Sequence, residues 1–229
     1  MSVTDHRVRV AAQKREKMNT KLLECALLVF ARKGVDAAVI DDVIALAGVS
    51  RGTFYNYFKT NEELLLAVIQ QMANELFWLI EQVVGGAANP LERVTTAVRL
   101  TLHTTRRYPH FGSFFVRSNM SANMPSTLAN EFLSRDLNQA IAPGKLKAID
   151  VGLAIDLIVG ATFAGVQALI TRPQTHDDYP ERLTYHILLG LGLGAAAAKK
   201  LVELPLRHIE IPEDSLLNRS SLRLTEKAA

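Results

Sequence analysis

The chain has 229 residues, 48% of them hydrophobic and 21% charged, with one cysteine and a formal net charge of +3. Those values fit a globular protein of one or two domains; they exclude a disordered polyelectrolyte, an internal disulfide and any multi-cysteine metal site. The first residues lack the apolar core and cleavage site of an export signal, so the sequence reads as cytoplasmic.

Proline and glycine cluster between long stretches that show no β-type alternation, which predicts an all-α fold. Residues 1–13 read as a basic flexible arm. A first helix is expected from about Lys14 to Lys33, because Leu22, Leu23, Ala26, Leu27 and Phe30 share one face and Gly34 closes it. Cys25 on that helix reads as a small buried residue. Two short helices follow, near Asp41–Ala47 and Arg51–Phe58. Thr60 and Glu63 have the spacing of a capping box and nothing interrupts the chain until Gly85, so a helix of roughly 35 Å is expected from Asn61 to Val84.

Asn89, Pro90 and Glu92 signal the start of another helix, ending near Arg107. A further one is expected from about His110 to Asn119, and Pro125 opens one that ends near residues 142–144. Two long apolar helices, about Ala148–Thr171 and Pro180–Val202, close the fold, and the tail 204–229 looks irregular. The run Val151–Ile170 has the length of a membrane span but carries Asp156 and Gln167, so a buried helix of a soluble protein, with no membrane partner, is expected.

Charge is unevenly spread. Residues 1–61 hold ten Lys and Arg against six Asp and Glu, a net of +4, which leaves −1 for the remainder. A basic excess confined to the N-terminal quarter suits a part that meets a polyanion. Five of those cations lie between His6 and Lys17, where a basic leader can enter a minor groove or simply stay solvated.

The segment Ala47 to Phe58, AGVSRGTFYNYF, carries the chemistry. Gly48 supplies the turn that ends one short helix, and Ser50 is a natural N-cap for the next. With Phe54 facing inward, a 100° step brings Phe58 to the same side and sends Gly52 and Asn56 nearly opposite. Asn56 can donate to and accept from a base edge, Tyr55 and Thr53 can bond phosphates, and Lys59 adds charge. Gly52 lets the first turn approach a duplex closely, and Arg51 can reach a guanine or a phosphate. Tyr57 points between core and solvent. The DNA-binding set is therefore Arg51, Gly52, Thr53, Tyr55, Asn56, Tyr57 and Lys59, on a helix-turn-helix spanning 14–60.

The stretch from Leu22 to Leu65 resembles the N-terminal domain of the TetR family of bacterial transcriptional regulators. Ala26, Phe30, Gly34, Ile44, Ala45, Ala47-Gly48-Val49-Ser50, Gly52, Phe54-Tyr55, Tyr57-Phe58 and Glu62 to Leu65 carry the resemblance. Asn61 stands where that family most often has lysine, and Val39 where it usually has threonine. The resemblance implies a homodimer on a palindromic double-stranded operator, a larger helical domain that senses a small molecule, and repression as the default output.

The body, 61–203, is expected to bind an effector and to dimerise. Small residues recur at four-residue spacing in the last two helices: Gly160 with Ala164 and Ala168, Ala161 with Gly165, and Gly190 with Gly194 and Ala198. Both helices are apolar nearly all round, more than one intramolecular face requires, so a two-fold four-helix interface is expected there.

Seven of fifteen aromatics fall between Phe77 and Phe132. With Met120 and Met124 they suit a largely apolar cavity, for which Phe77, Trp78, His103, Phe111, Phe114, Phe115, Met120, Phe163 and Gln167 are the candidate lining. Arg106 and Asn119 are further polar candidates, and plain core packing explains any one of these residues as well. The histidines form no metal-ligand spacing and no nucleophile or phosphate-loop motif occurs, so the sequence calls for no cofactor, no metal and no enzyme. A nonspecific architectural DNA-binding protein, and a helical small-molecule binding protein or enzyme, are the alternatives.

Overall fold

A computed structural model describes residues 3–117, 128–141, 146, 150–172, 174–213 and 215–218, with side chains throughout except at 3–7, 110, 115 and 117. Among these residues every regular element is a helix. The chain divides into two compact units, one comprising the residues up to Gln71 and the other Met72–Asn218. The division falls inside a helix, Asn61–Val84, nearly half way along it, rather than at the expected 60/61 boundary.

The first unit is built on α1, Val3–Lys33, α2, Ile40–Ala47, and α3, Arg51–Tyr55, and takes the first turns of α4, Asn61–Val84. Helix α1 starts eleven residues before the expected Lys14, so the stretch expected as a flexible arm is helical. Only its C-terminal half packs: Leu22, Leu23, Ala26, Leu27 and Phe30 are buried, as is Cys25, whose thiol is pushed up from its ordinary pKa by burial. Each fully buried side chain of this size contributes about 1.5–3 kcal/mol. Lys33 Nζ meets Asp42 Oδ2 at 2.7 Å and ties the end of α1 to α2.

The second unit is organised around α5, Pro90–Arg107, which packs against α6, Pro109–Arg117, α7, Leu128–Ile141, α8, Val151–Thr171, α9, Tyr179–Gly190, and α10, Ala195–Val202. Asn89 caps α5 through Leu91 N–H, and Asp150 caps α8 through the N–H groups of Gly152 and Leu153. The expected single helix over Pro180–Val202 is two. The chain turns at Leu191–Gly194 with Gly192 at φ 87°, a left-handed backbone that glycine adopts without steric cost. Beyond α10 the described residues as far as Asn218 pack back on the unit: Ile209, Ser215, Leu216 and Leu217 are buried, and Leu216 N–H donates to Glu75 Oε2 at 3.0 Å. The expected start of one helix at Pro125, and the ends near Asn119, 142–144 and Ala148, lie outside the described residues.

Candidate nucleic-acid interface and helical sensor unit

The turn between α2 and α3 is fixed locally. Gly48 sits at φ 62°, ψ 41°, and its N–H and that of Val49 close on the carbonyls of Ala45 and Ile44, each at 3.2 Å. This αL closure satisfies carbonyls that the end of a helix leaves open. Ser50, extended, then accepts from Thr53 N–H at 3.1 Å, and its hydroxyl also pairs with the Thr53 hydroxyl at 2.9 Å. Phe54 and Phe58 are buried with ring centroids 6.0 Å apart, which sets the rotation of α3.

With those rings inward, Arg51, Gly52, Tyr55, Asn56 and Lys59 are exposed and Thr53 and Tyr57 half-buried. The helix proper stops at Tyr55 rather than Phe58, but Asn56 keeps right-handed angles and donates to the Gly52 carbonyl, so the outward row is preserved. A Cβ at Gly52 would meet nothing nearer than Ser50 Oγ at 3.8 Å, so no packing inside the chain requires glycine there.

Three of the candidate groups are held within the chain. Arg51 Nη2 is 2.7 Å from Asp41 Oδ1, with both side chains mostly exposed. An exposed pair of this kind is worth about 0–1 kcal/mol. Lys59 Nζ donates to the Tyr55 carbonyl, and the Thr53 hydroxyl is taken by Ser50.

Asn61 has a role that its sequence position did not disclose. Its Oδ1 accepts from Val39 N–H at 3.2 Å and its Nδ2 donates to the Ala37 carbonyl at 3.0 Å, so it pins the α1–α2 connection to the start of α4. The two departures noted in the sequence, Asn61 and Val39, are thus partners. Thr60 Oγ1 accepts from Glu63 N–H at 3.1 Å as a capping box requires, while the Glu63 carboxylate accepts from Lys59 N–H. Exposed Glu62 titrates below its ordinary range, held there by its own backbone N–H and the Thr60 hydroxyl.

In the second unit the expected pocket residues scatter. Phe111 and Phe114 are buried on α6, and Phe77 and Phe163 are half-buried. Trp78, 54% exposed, and Gln167, also exposed, do not line the interior of this unit; each falls on the solvent side of its helix. His103 Nε2 lies 2.9 Å from Glu181 Oε1. Arg106 donates to the carbonyls of His176 and Asp177 and so holds the α8–α9 connection. The Phe115 side chain, Asn119, Met120 and Met124 lie outside the described residues.

What sequence reasoning missed is a set of charges in the interior. Arg93, buried, donates through Nε to Asp136 Oδ1 at 2.9 Å, through Nη1 to the Ala87 carbonyl at 2.7 Å, and to Gln139. Arg135 bridges Glu81 at 2.7 Å and Asp136 at 2.8 Å, and those two hydrogen bonds raise its already high pKa further. Arg99, also buried, meets Glu181 at 3.2 Å and the Leu204 carbonyl at 2.8 Å. Burial pushes Glu181 up, but hydrogen bonds from His103, its own backbone and Arg99 outweigh it and hold the carboxyl below its ordinary range. One signal was available: α5 is rich in Thr and Arg yet must sit among apolar helices, so its polar groups need internal partners.

The expected dimer positions divide as well. Along α8 the exposed residues Leu153, Asp156, Gly160, Ala164, Gln167 and Thr171 recur every three or four positions, so one stripe of the helix is open. Ala161 is half-buried and Ala168 is buried inside the unit. A Cβ on Gly190 would lie 2.9 Å from Leu157 Cδ2, so the missing side chain there already serves the packing of α9 on α8. Gly194 is the N-cap of α10, across the turn from Gly190, and the two do not share a helical face.

Both halves find counterparts among known proteins. The model of bacterial regulatory proteins of the tetR family matches residues 22–68, and that of the tetracyclin repressor-like C-terminal domain matches residues 89–203. The chain belongs to the tetR family of bacterial regulatory proteins. It is 32% identical over 75 residues to the HTH-type transcriptional repressor KstR2 of Mycolicibacterium smegmatis, a match covering 33% of this chain and 37% of that protein. Against KstR2 of Mycobacterium tuberculosis it is 34% identical over 86 residues, covering 38% and 42% respectively. The matched stretch is thus well under half the length of either relative.

Likeness in three dimensions runs further. A crystal structure of RolR in complex with resorcinol superposes with a TM-score of 0.70 at 28% identity, covering 87% of this tetR-family chain and 100% of RolR. RolR without ligand gives 0.68.

Proposed function

We propose that this tetR-family protein is a homodimeric, ligand-responsive regulator of transcription that reads a palindromic operator through α3 and is released from it by a small, largely apolar molecule. The exposed row of Arg51, Gly52, Tyr55 and Asn56 opposite the buried Phe54 and Phe58 carries the reading. Gly52 adds weight, because the chain itself has no packing need for glycine at that position. In this reading Asn56 contacts a base edge, Arg51 leaves Asp41 for a guanine or phosphate, Lys59 leaves the Tyr55 carbonyl for a phosphate, and Thr53, Tyr55 and Tyr57 position the helix.

Dimerisation uses the open stripe of α8. Leu153 is 59% and Val159 38% exposed, and Gly160 and Ala164 beside them leave room for a close partner helix. Exposed apolar and small residues flanked by polar ones such as Asp156 and Gln167 suit an association face with a polar rim. The effector occupies the second unit near Phe111, Phe114 and Phe163, and the likeness to RolR supports a compact aromatic as the first class to screen. Effector and operator then favour different conformers of a chain whose α4 belongs to both units, and each weakens the other's affinity by the same factor.

The test is selection of random duplexes by the purified protein, with Asn56→Ala in parallel. A palindromic consensus that the variant blurs is the expected result. Enrichment of no sequence, with salt-sensitive binding to any duplex, would replace the regulator by an architectural DNA binder; equal effector affinity of free and operator-bound protein would remove the coupling.

A further inference from the structure

Among the described residues one buried side-chain polar atom has no hydrogen-bond partner, Thr162 Oγ1 on α8. Helical threonines elsewhere in the second unit turn the hydroxyl back to the carbonyl four residues earlier: Thr95, Thr101, Thr105 and Thr184 do so at 2.6–2.9 Å, and Thr171 does so on α8 itself at 2.8 Å. Thr162 does not, and a buried hydroxyl left unpaired costs stability. Such a group in a folded protein calls for a reason.

Its direction supplies one. At 100° per residue Thr162 lies about 140–160° round α8 from Gly160 and Gln167 on the open stripe, and so points inward. It falls between two packed contacts. Gly165, about 60° to one side, is so close to α5 that a Cβ on it would lie 2.9 Å from Leu102 Cδ2. Ile170, about 80° to the other side, comes within 2.7 Å of where a Cβ on Gly112 of α6 would lie. The hydroxyl therefore faces the wedge between α5 and α6, and Phe111, beside Gly112, is buried. Ile155 and Leu169, seven residues to either side on the same face, are half-buried like Thr162, so the chain leaves this inward face partly open. Apolar walls with one unpaired polar group have the make-up of a small-molecule site.

The group that pairs with Thr162 is neutral. Arg93, Arg99 and Arg135 are already bonded to Asp136, Glu181 and Glu81, so none of them is left for a carboxylate. A hydroxyl suits better than a carbonyl, because it can both donate to and accept from the threonine oxygen.

We propose that Thr162 anchors the effector through its hydroxyl, and that the effector is a compact aromatic molecule bearing a hydroxyl group, a phenol rather than a hydrocarbon or an acid. The proposal rests on the effector reading above.

The experiment titrates phenol and resorcinol, with toluene and m-xylene as their methyl counterparts, into the full chain by calorimetry, using wild type, Thr162→Val and Thr162→Ser. Valine has the shape of threonine without the hydroxyl. Wild type should favour a hydroxyl-bearing ring over its methyl counterpart by about tenfold, the worth of one hydrogen bond. Thr162→Val should abolish that preference, bind the methyl probes at least as tightly, and melt no lower than wild type, because an unpaired hydroxyl is removed. Thr162→Ser should retain the preference. A preference that survives in Thr162→Val would overturn the proposal and leave the effector reading standing. Equal loss of both kinds of probe, with a lower melting temperature, would also overturn it and make Thr162 a packing residue. Wild type that binds none of the four would overturn the proposal and the aromatic effector together, while operator selection tests the DNA reading independently.

Discussion

The recognition segment and the packed second unit hold their polar groups in opposite ways. Around α3 the polar side chains are exposed and bonded to neighbours a few positions away: Ser50 to Thr53, Lys59 to Tyr55, Arg51 to Asp41 across one turn. In the second unit Arg93, Arg99 and Asp136 are buried and bonded across 43, 82 or 105 positions of sequence. Exposed local pairs are cheap to break, which suits the exchange of partners proposed for these groups. Buried distant pairs are costly to break singly, which suits groups that fix how helices register.

The sharpest way to break this comparison is Arg93→Ala, which strands Asp136 beneath the surface with only Arg135 beside it. Loss of about 3–5 kcal/mol in urea unfolding of the second unit is expected, with α3 unaffected. A loss below 1 kcal/mol would mean that the network is relaxed by water.

Asn56→Ala should cost about 1–3 kcal/mol of operator binding, read by fluorescence anisotropy, yet leave stability within about 0.5 kcal/mol. Destabilisation instead would make Asn56 a structural C-cap and not a reader.

Gly48→Ala puts a Cβ on a left-handed backbone, although nothing lies within 4 Å of it. The expected loss is about 1–2 kcal/mol in thermal unfolding, from backbone strain alone.

The smallest effect concerns pH. Because Glu181 is held below its ordinary pKa, the unfolded chain binds more protons than the folded one between the two values. Its contribution is therefore present at neutral pH and lost as pH falls below about 4.3 through the folded value. Melting temperatures from pH 3 to 6 should decline less steeply for Glu181→Gln than for wild type.

Dimerisation offers a separate test of the outward α8 stripe. Ala164→Arg should convert the protein to monomer in sedimentation, whereas Ala168→Arg should unfold it, because Ala168 is buried inside the unit.

Much of the first unit was legible because its determinants are local. A glycine needing φ 62°, a serine three residues before a threonine N–H, and two phenylalanines four apart fix the turn and rotation of α3 whatever surrounds them. The start of α1 was not legible, since the charged stretch before Lys14 lacks the apolar period on which a helix is recognised. The break at Leu191–Gly194 was hidden for the opposite reason, an apolar run so uniform that its glycines read as a packing stripe.

The sequence by itself determined the helical class, the turn at Gly48 and the inward pair Phe54 and Phe58, because each depends on spacing within a few residues. Only the tertiary structure decided that Trp78 and Gln167 face outward, that Gly190 is already used by Leu157, and that Arg93, Asp136, Arg135 and Glu81 meet. Those outcomes depend on which helix faces come together, and a spacing within one helix carries no information about the helix across from it.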